Sequence, residues 1–274
     1  MKKIYLLSSL LFFYNSLISS LSANDNTANF DSLNGYNNCN FRTNGENFWL
    51  KRFLKKKTKI ILDVGANVGN WTKIANLYAP QAKVYSFEPH HKTFEILAKN
   101  FISKSNTVYP VNIAISDSEE SKPFFTWADE ANPDQSELNS FFIRPILYES
   151  TSSTPLAVET KVTTLDKFCN QNMISNIDYL KIDTEGNEYF VLKGAEQLLK
   201  EKKVQIIQFE YGGTYLDSNT TLKQVFELLK KYEFDIYRIL PQSLLLLDSW
   251  QEEFENYQYS NYIAILNDTN ILFY

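Results

Sequence analysis

Cysteine and histidine are almost missing from this chain: Cys39, Cys169, His90 and His91 are the only ones in 274 residues. Two cysteines cannot build a disulfide framework, and although one bridge between them stays open, they say little about redox compartment. With adjacent histidines and no Asp-x-Asp pair, no spacing points to a metal, and no metal ligand is assigned. An excess of positive charge is also lacking. The 27 Lys and Arg stand against 32 Asp and Glu, for a net charge of −5. This argues against a general nucleic-acid grip, because counterion release needs clustered cations. The one basic cluster, Lys55-Lys56-Lys57, reads as the solvated end of a short helix followed by a loop. No internal repeat is visible, and no methionine lies between Met1 and Met173, so no ordinary later start replaces the first.

What is present suits one α/β domain with appendages, since 44% hydrophobic and 15% aromatic content can bury a full core. The chain opens with Lys2-Lys3, the mostly apolar "IYLLSSLLFFY" and small residues near Ser22 and Ala23. Residues 1–23 thus resemble a cleavable export signal, too short and serine-rich for a good membrane span. The expectation is an exported or membrane-associated protein, touching a membrane only through this segment if it is retained; the alternative is a cytoplasmic one. Residues 24–43 are Asn-rich and aperiodic and read as a linker or loose arm. The folded domain is expected over 44–274.

Along that domain strands and helices alternate. "KIILDV", "KVYSFEP", "TVYPVNIAIS", "IDYLKID" and "VQIIQFE" read as strands, and "HHKTFEILAKNFI" and "TLKQVFELLKKY" as amphipathic helices between them. Pro110 marks the third strand as an edge or irregular one. "DIYRIL", "SLLLLD" and "NYIAIL" close the chain as strands. The stretch 117–160 breaks the rhythm with polar runs around "FFIRPILY", as a substrate lid would. Such alternation implies a mainly parallel sheet with helices on both faces and a ligand beyond the carboxyl ends of the strands.

Those ends carry the candidate chemistry. In "ILDVGANVGNWT" a strand runs into Gly65 and Gly69 and then a helix, with Asn70 as its expected cap. A dinucleotide turn wants G-x-G-x-x-G, whose middle glycine lets the backbone approach a pyrophosphate. Asn67 stands in that place and would crowd a pyrophosphate, whereas S-adenosylmethionine has none. Glu88 ends the second strand, where a carboxylate can accept both ribose hydroxyls of either cofactor.

Together "ILDVGANVGNWT", "YSFEP", "NIAISD", "TTLDKFC", "IDYLKIDTEGNEYFVLKGAEQLL" and "IQFEYGG" resemble the FkbM-type S-adenosylmethionine-dependent methyltransferases, from about Asn44 to the strand near Leu266. The resemblance implies the class I methyltransferase Rossmann-like fold, a seven-stranded sheet with the last strand antiparallel, and O-methylation of a hydroxyl on a glycan or small molecule. It places Asp63, Gly65, Asn67 and Gly69 along the amino-acid and ribose end of S-adenosyl-L-methionine, Glu88 on the ribose, and Ala114, Ser116 and Asp117 against the adenine. The signal-like start departs from what a cytosolic enzyme would show.

Methyl transfer needs an aligned acceptor and a group to take its proton. Asp183, at the end of the fourth strand, and Glu210, after the fifth, are the catalytic candidates. Glu185 and Glu188 read as helix-start residues favoured by the dipole, and His90 and His91 as helix-start residues whose charge the dipole disfavours. Asp183, Glu185 and Glu210 are also the oxygens a hard cation would use, although methyl transfer does not require one. Two rivals stand beside this reading: an exported, catalytically silent binding protein of the same fold, and a nicotinamide-dependent oxidoreductase. The acceptor and the oligomeric state are not legible.

Overall fold

The structure, a computed structural model, describes residues 36–102, 105–127, 138–145 and 154–267. The signal-like segment, most of the Asn-rich arm and the middle of the lid stretch lie outside these. No helix among the described residues is long and apolar enough to cross a membrane.

The first half of the domain runs α1 (Glu46–Phe53), β1 (Ile60–Val64), α2 (Asn70–Tyr78), β2 (Lys83–Phe87), α3 (His91–Phe101) and β3 (Val108–Val111). After β4 (Ala114–Ile115), β5 (Ser121–Thr126) and β6 (Leu156–Thr163) come α4 (Leu165–Gln171) and β7 (Tyr179–Ile182). The chain continues through α5 (Glu188–Lys193), α6 (Glu196–Lys200), β8 (Ile206–Tyr211), α7 (Thr214–Asp217) and α8 (Leu222–Lys231). It ends with β9 (Phe234–Ile239), β10 (Leu244–Leu247) and β11 (Ser260–Leu266).

The main sheet has eight strands in the order β10-β9-β11-β8-β7-β1-β2-β3. Strands β3, β2, β1, β7 and β8 are parallel, and β11 inserts antiparallel between β8 and β9. This is the class I methyltransferase arrangement with one strand more than the expected seven. The extra strand is β10, which folds back on β9 as an edge hairpin. The expected third strand is split. Val108–Val111 closes the sheet edge, as Pro110 requires, while Ala114–Ile115 joins β5 and β6 in a separate three-stranded sheet.

Period-two alternation sends Leu62, Val64, Leu180 and Ile182 into one core and Ile61 and Tyr179 into the other. Helix α8 faces the first core with Leu222, Val225, Phe226 and Leu229, and a capping box of Thr221 and Gln224 starts it. The loose arm ends earlier than expected. Asn37 exchanges hydrogen bonds with Tyr259 through its backbone and side chain, and Arg238 stacks on Tyr36, so the packed domain begins before 44. The lid stretch is likewise anchored at its ends, since β5 and β6 pair and residue 160 falls inside β6.

Strand order reverses at β1, which lies between β2 and β7. That switch point opens the crevice beyond the carboxyl ends where α/β sheets bind ligands.

Candidate active site

The turn after β1 is wired to itself. Gly65 and Ala66 donate their N–H groups to the Phe87 carbonyl, and Gly69 donates to Ala66. Asn67 donates to Glu88 Oε2 at 3.0 Å, and Val68 donates to the Asn67 side chain at 2.6 Å. Every backbone N–H from Gly65 to Gly69 is thereby used inside the protein. A phosphate cradle needs such groups pointing outward, so the turn is not built for a pyrophosphate. The glycines answer to packing. A Cβ on Gly65 would lie 1.7 Å from the Asp183 carbonyl oxygen, and one on Gly69 2.5 Å from Phe101. Both have positive φ, and Gly69 itself, not Asn70, is the N-cap of α2.

Glu88 is buried at the end of β2 and bridges two turns, accepting from Asn67 N and, through Oε1, from His90 N at 2.9 Å. Burial pushes its carboxyl up to about 7. Each oxygen keeps lone-pair capacity for a further donor. His90 caps α3 and is buried, its Nδ1 within 2.8 Å of Thr93 Oγ1, and burial lowers its pKa. His91 is exposed and pairs with Glu95.

Two groups of residues assigned to the cofactor turn out to act from behind the wall. Asp63 is 0% exposed: its Oδ2 accepts from Thr72 Oγ1 at 2.6 Å, and its Oδ1 lies 3.7 Å from Lys181 Nζ. It has no surface to offer a ligand. Ala114 and Ser116 are also buried, and Ser116 Oγ donates to Asn187 Oδ1 at 3.0 Å. Only Asp117 of that group is exposed, paired with Lys122 at 3.4 Å.

The end of β7 meets the turn directly, since Val64 pairs with Ile182 and Gly65 abuts Asp183. Asp183 Oδ2 accepts from Lys181 Nζ at 2.9 Å, and the Asp183 side chain is 35% exposed at the rim. Carboxylate oxygens of Asp183, Glu185 and Glu210 all lie within 4.8 Å of one another. That spacing could hold a cation, yet Arg144 Nη1 already reaches Glu185 Oε2 at 3.0 Å. Burial, with Asp183 and Glu185 adding to it, raises the Glu210 carboxyl well above the usual range.

Glu188 begins α5 as expected but is not a bland helix-start acid. It is 1% exposed and turns back into the loop. Its oxygens accept from Thr184 N (2.7 Å), Thr184 Oγ1 (3.0 Å) and Gly186 N (3.0 Å), which fixes the loop carrying Glu185. Burial raises it to about 7.

Residues 138–145 of the polar stretch pack on this acidic rim. Ser140 Oγ donates to the Glu185 carbonyl at 2.7 Å, and the Arg144 guanidinium lies between Glu185 and Asp217, 3.7 Å from the latter. Burial pushes Asp217 up to about 6, with Arg144 opposing the shift. Ser140 and Arg144 thus bring this stretch against Glu185 and Asp217.

Three functional-looking residues escaped the sequence reading: Lys181, Gln208 and Glu46. Each is polar and buried. The available signal was a lysine inside "YLKI" and a glutamine inside "IIQF", polar residues in strands that are otherwise apolar.

Known proteins bear on this geometry. The Methyltransferase FkbM domain matches residues 63–236, well over half of the chain. The 2-O-methyltransferase NoeI of Sinorhizobium fredii is 25% identical over 66% of this chain and 74% of its own length. The hexuronic acid methyltransferase AglP of Haloferax volcanii is 27% identical over 56% of each, so the chain spans little more than half of that relative. The crystal structure of methyltransferase FkbM from Methylobacillus flagellatus covers 75% of this chain and 43% of its own, with TM-score 0.46 and 12% identity. The chain belongs to the FkbM family of S-adenosylmethionine-dependent methyltransferases.

Proposed function

We propose that this chain transfers a methyl group to a hydroxyl of a glycan or a related polyhydroxylated small molecule, and that it does not act on nucleic acid. The observation that carries this reading is the pairing, at one switch point, of a turn closed to phosphate with a roofed cluster of carboxylates. NoeI, a 2-O-methyltransferase, and AglP, a hexuronic acid methyltransferase, agree with a sugar-like acceptor.

The residues present fit S-adenosylmethionine, which supplies an electrophilic methyl on a positively charged sulfur. Glu88 would hold the ribose, the Gly65–Gly69 turn would back the amino-acid end, and the segment ending at Asp117 would border the adenine. Asp183 lies where the donor side meets the acceptor side. Its Oδ2 is committed to Lys181, which leaves Oδ1 to orient the acceptor hydroxyl and take its proton. Glu210, its carboxyl raised by burial and grouped with Asp183 and Glu185, would meet the acceptor hydroxyl beside Asp183. The lid, held by Arg144 and Ser140, excludes water from that side.

The test is transfer of labelled methyl to a panel of neutral, amino and uronic acid glycosides, with the product examined by NMR for an O-methyl signal. Label on a sugar oxygen supports the proposal. A folded chain that binds S-adenosylmethionine but labels only nitrogen, carbon or RNA sinks it, and one that binds without any turnover favours the silent binding protein.

A further inference from the structure

A row of polar side chains crosses the middle of the sheet one residue short of the site. In register, Ser86 on β2 faces Asp63 on β1, Asp63 faces Lys181 on β7, and Lys181 faces Gln208 on β8. All four are buried. The helix layer completes the row from above: Thr72 of α2 reaches both Asp63 and Ser86, and Glu46 of α1 accepts from Gln208 Nε2 at 2.6 Å. Tyr179 donates to Gln208 Oε1 at 2.7 Å.

Lys181 is the one cation in this row. A buried lysine is costly unless it is paired, and a well-packed apolar residue would serve stability equally well. Its ammonium has two carboxylate neighbours of different kinds. Asp63, at 3.7 Å, is fully buried and immediately precedes Val64 and the cofactor turn. Asp183, at 2.9 Å, is at the rim of the acceptor side. The Trp71 ring, 5.7 Å away, covers the ammonium from the helix layer. Among the described residues Asp63 Oδ1 has no other hydrogen-bond partner, and Lys181 is the one cation within ion-pair distance of it.

We propose that Lys181 is a positioning residue that ties the two half-sites together, holding the β1 end that carries the cofactor turn against the Asp183 carboxylate. The register forces this geometry. Lys181 is the cross-strand neighbour of Asp63 and sits two residues before Asp183 on the same sheet face, so one side chain can reach both acids. Loss of the ammonium leaves Asp63 without a counter-charge beneath the turn and frees Asp183 to rotate. The Gly65 backbone, packed on the Asp183 carbonyl, transmits any separation of the strand ends to the cofactor turn.

The inference rests on the crevice being the S-adenosylmethionine site, and its test needs no acceptor. S-adenosylmethionine is titrated calorimetrically into the unmodified chain, Lys181→Met and Lys181→Arg, each well below its own thermal midpoint. Lys181→Met is expected to bind at least tenfold more weakly, and Lys181→Arg, which restores a cation able to reach both acids, to return within about threefold of the unmodified chain. A purely structural lysine would lower the midpoint of Lys181→Met while the folded fraction kept its affinity, and that result overturns the proposal. Equal weakening in both variants overturns it too. Should Lys181→Met not fold, Lys181→Gln, uncharged and shorter, is held to the same tenfold criterion. Failure of the unmodified chain to bind S-adenosylmethionine would instead remove the cofactor reading itself, a separate outcome.

Discussion

Replacing Glu88 by glutamine isolates what its carboxylate does. In the structure one oxygen accepts from Asn67 N and the other from His90 N, and ribose hydroxyls would take the remaining lone pairs. An amide keeps one acceptor and turns the other into a donor facing an N–H. Hydrogen bonds to a charged group contribute about 1.5–3 kcal/mol, so S-adenosylmethionine should bind roughly 10- to 150-fold more weakly. The pH dependence adds a second signature. With the carboxyl raised to about 7 and the ionised form the better acceptor, affinity should tighten about tenfold between pH 6 and 8. Glu88→Gln should lose that slope, and its own titration gives the baseline for ionisations of the cofactor. Stability runs the other way. A carboxyl raised above its ordinary 4.5 favours the fold most when protonated, so its contribution is complete below about pH 4.5 and lost as pH rises through about 7. The ligand-free chain should therefore melt lower at pH 8 than at pH 5, with Glu188, also at about 7, contributing in the same sense. Calorimetric titration across pH 6 to 8.5 decides the matter. Unchanged affinity in folded Glu88→Gln, or a slope that survives the substitution, would take Glu88 off the ribose.

Asp183→Asn should cut single-turnover methyl transfer at least a hundredfold while leaving a folded chain, the low end for a lost positioned base; a mild effect would move the proton acceptor elsewhere. Arg144→Met should raise the acceptor KM about tenfold or more and leave S-adenosylmethionine affinity within about threefold, because its guanidinium holds the lid on Glu185 and Asp217, away from Glu88. Loss of cofactor binding in that variant would put the lid over the wrong half-site. Gly65→Ala should destabilise by roughly 2–5 kcal/mol in a denaturant melt, combining φ of +85° with a Cβ 1.7 Å from the Asp183 carbonyl. Turnover should survive dialysis against a strong chelator; its abolition, with recovery on adding a divalent cation, would assign Asp183, Glu185 and Glu210 to a metal.

The parts of the fold legible in the sequence were those written as periodicity. Apolar runs ending in "DVG", "FEP", "KID" and "FEY" gave the central strands, and the βα alternation gave the parallel sheet and its crevice. What stayed hidden depends on burial and reach. Glu188 and Asp183 are both acids near the start of a helix, and nothing in "DTEGNE" says that one folds back to hold three donors while the other faces the crevice. Asp63 looked like a ligand-facing acid because it precedes the glycine turn. Pleating instead sends it under the turn, to Thr72 and Lys181. Glycine spacing pointed to a nucleotide-type turn, and the structure adds a packing reason for it: Gly65 and Gly69 make room for Asp183 and Phe101.

Charge explains why these pieces belong together. Glu46, Asp63, Glu88, Asp183, Glu185, Glu188 and Glu210 come to one end of the sheet, and the described cations among them are Lys181 and Arg144. So many carboxylates cannot all ionise at close range, and burial accordingly raises Glu46, Asp63, Glu88, Glu188 and Glu210. A site so rich in carboxylates and poor in cations favours the positively charged sulfur and ammonium of S-adenosylmethionine. A neutral hydroxyl loses little on entering it, since a hydroxyl can donate to a carboxylate and needs no counter-charge. An anionic acceptor would need a cation of its own, and Arg144 is already shared by Glu185 and Asp217. By this reasoning, neutral glycosides should outperform uronic acids in the acceptor panel, and raising the ionic strength should narrow the difference by screening the repulsion. Preference for the uronic acid, unaffected by salt, would mean that Arg144 leaves its two carboxylates to meet the substrate.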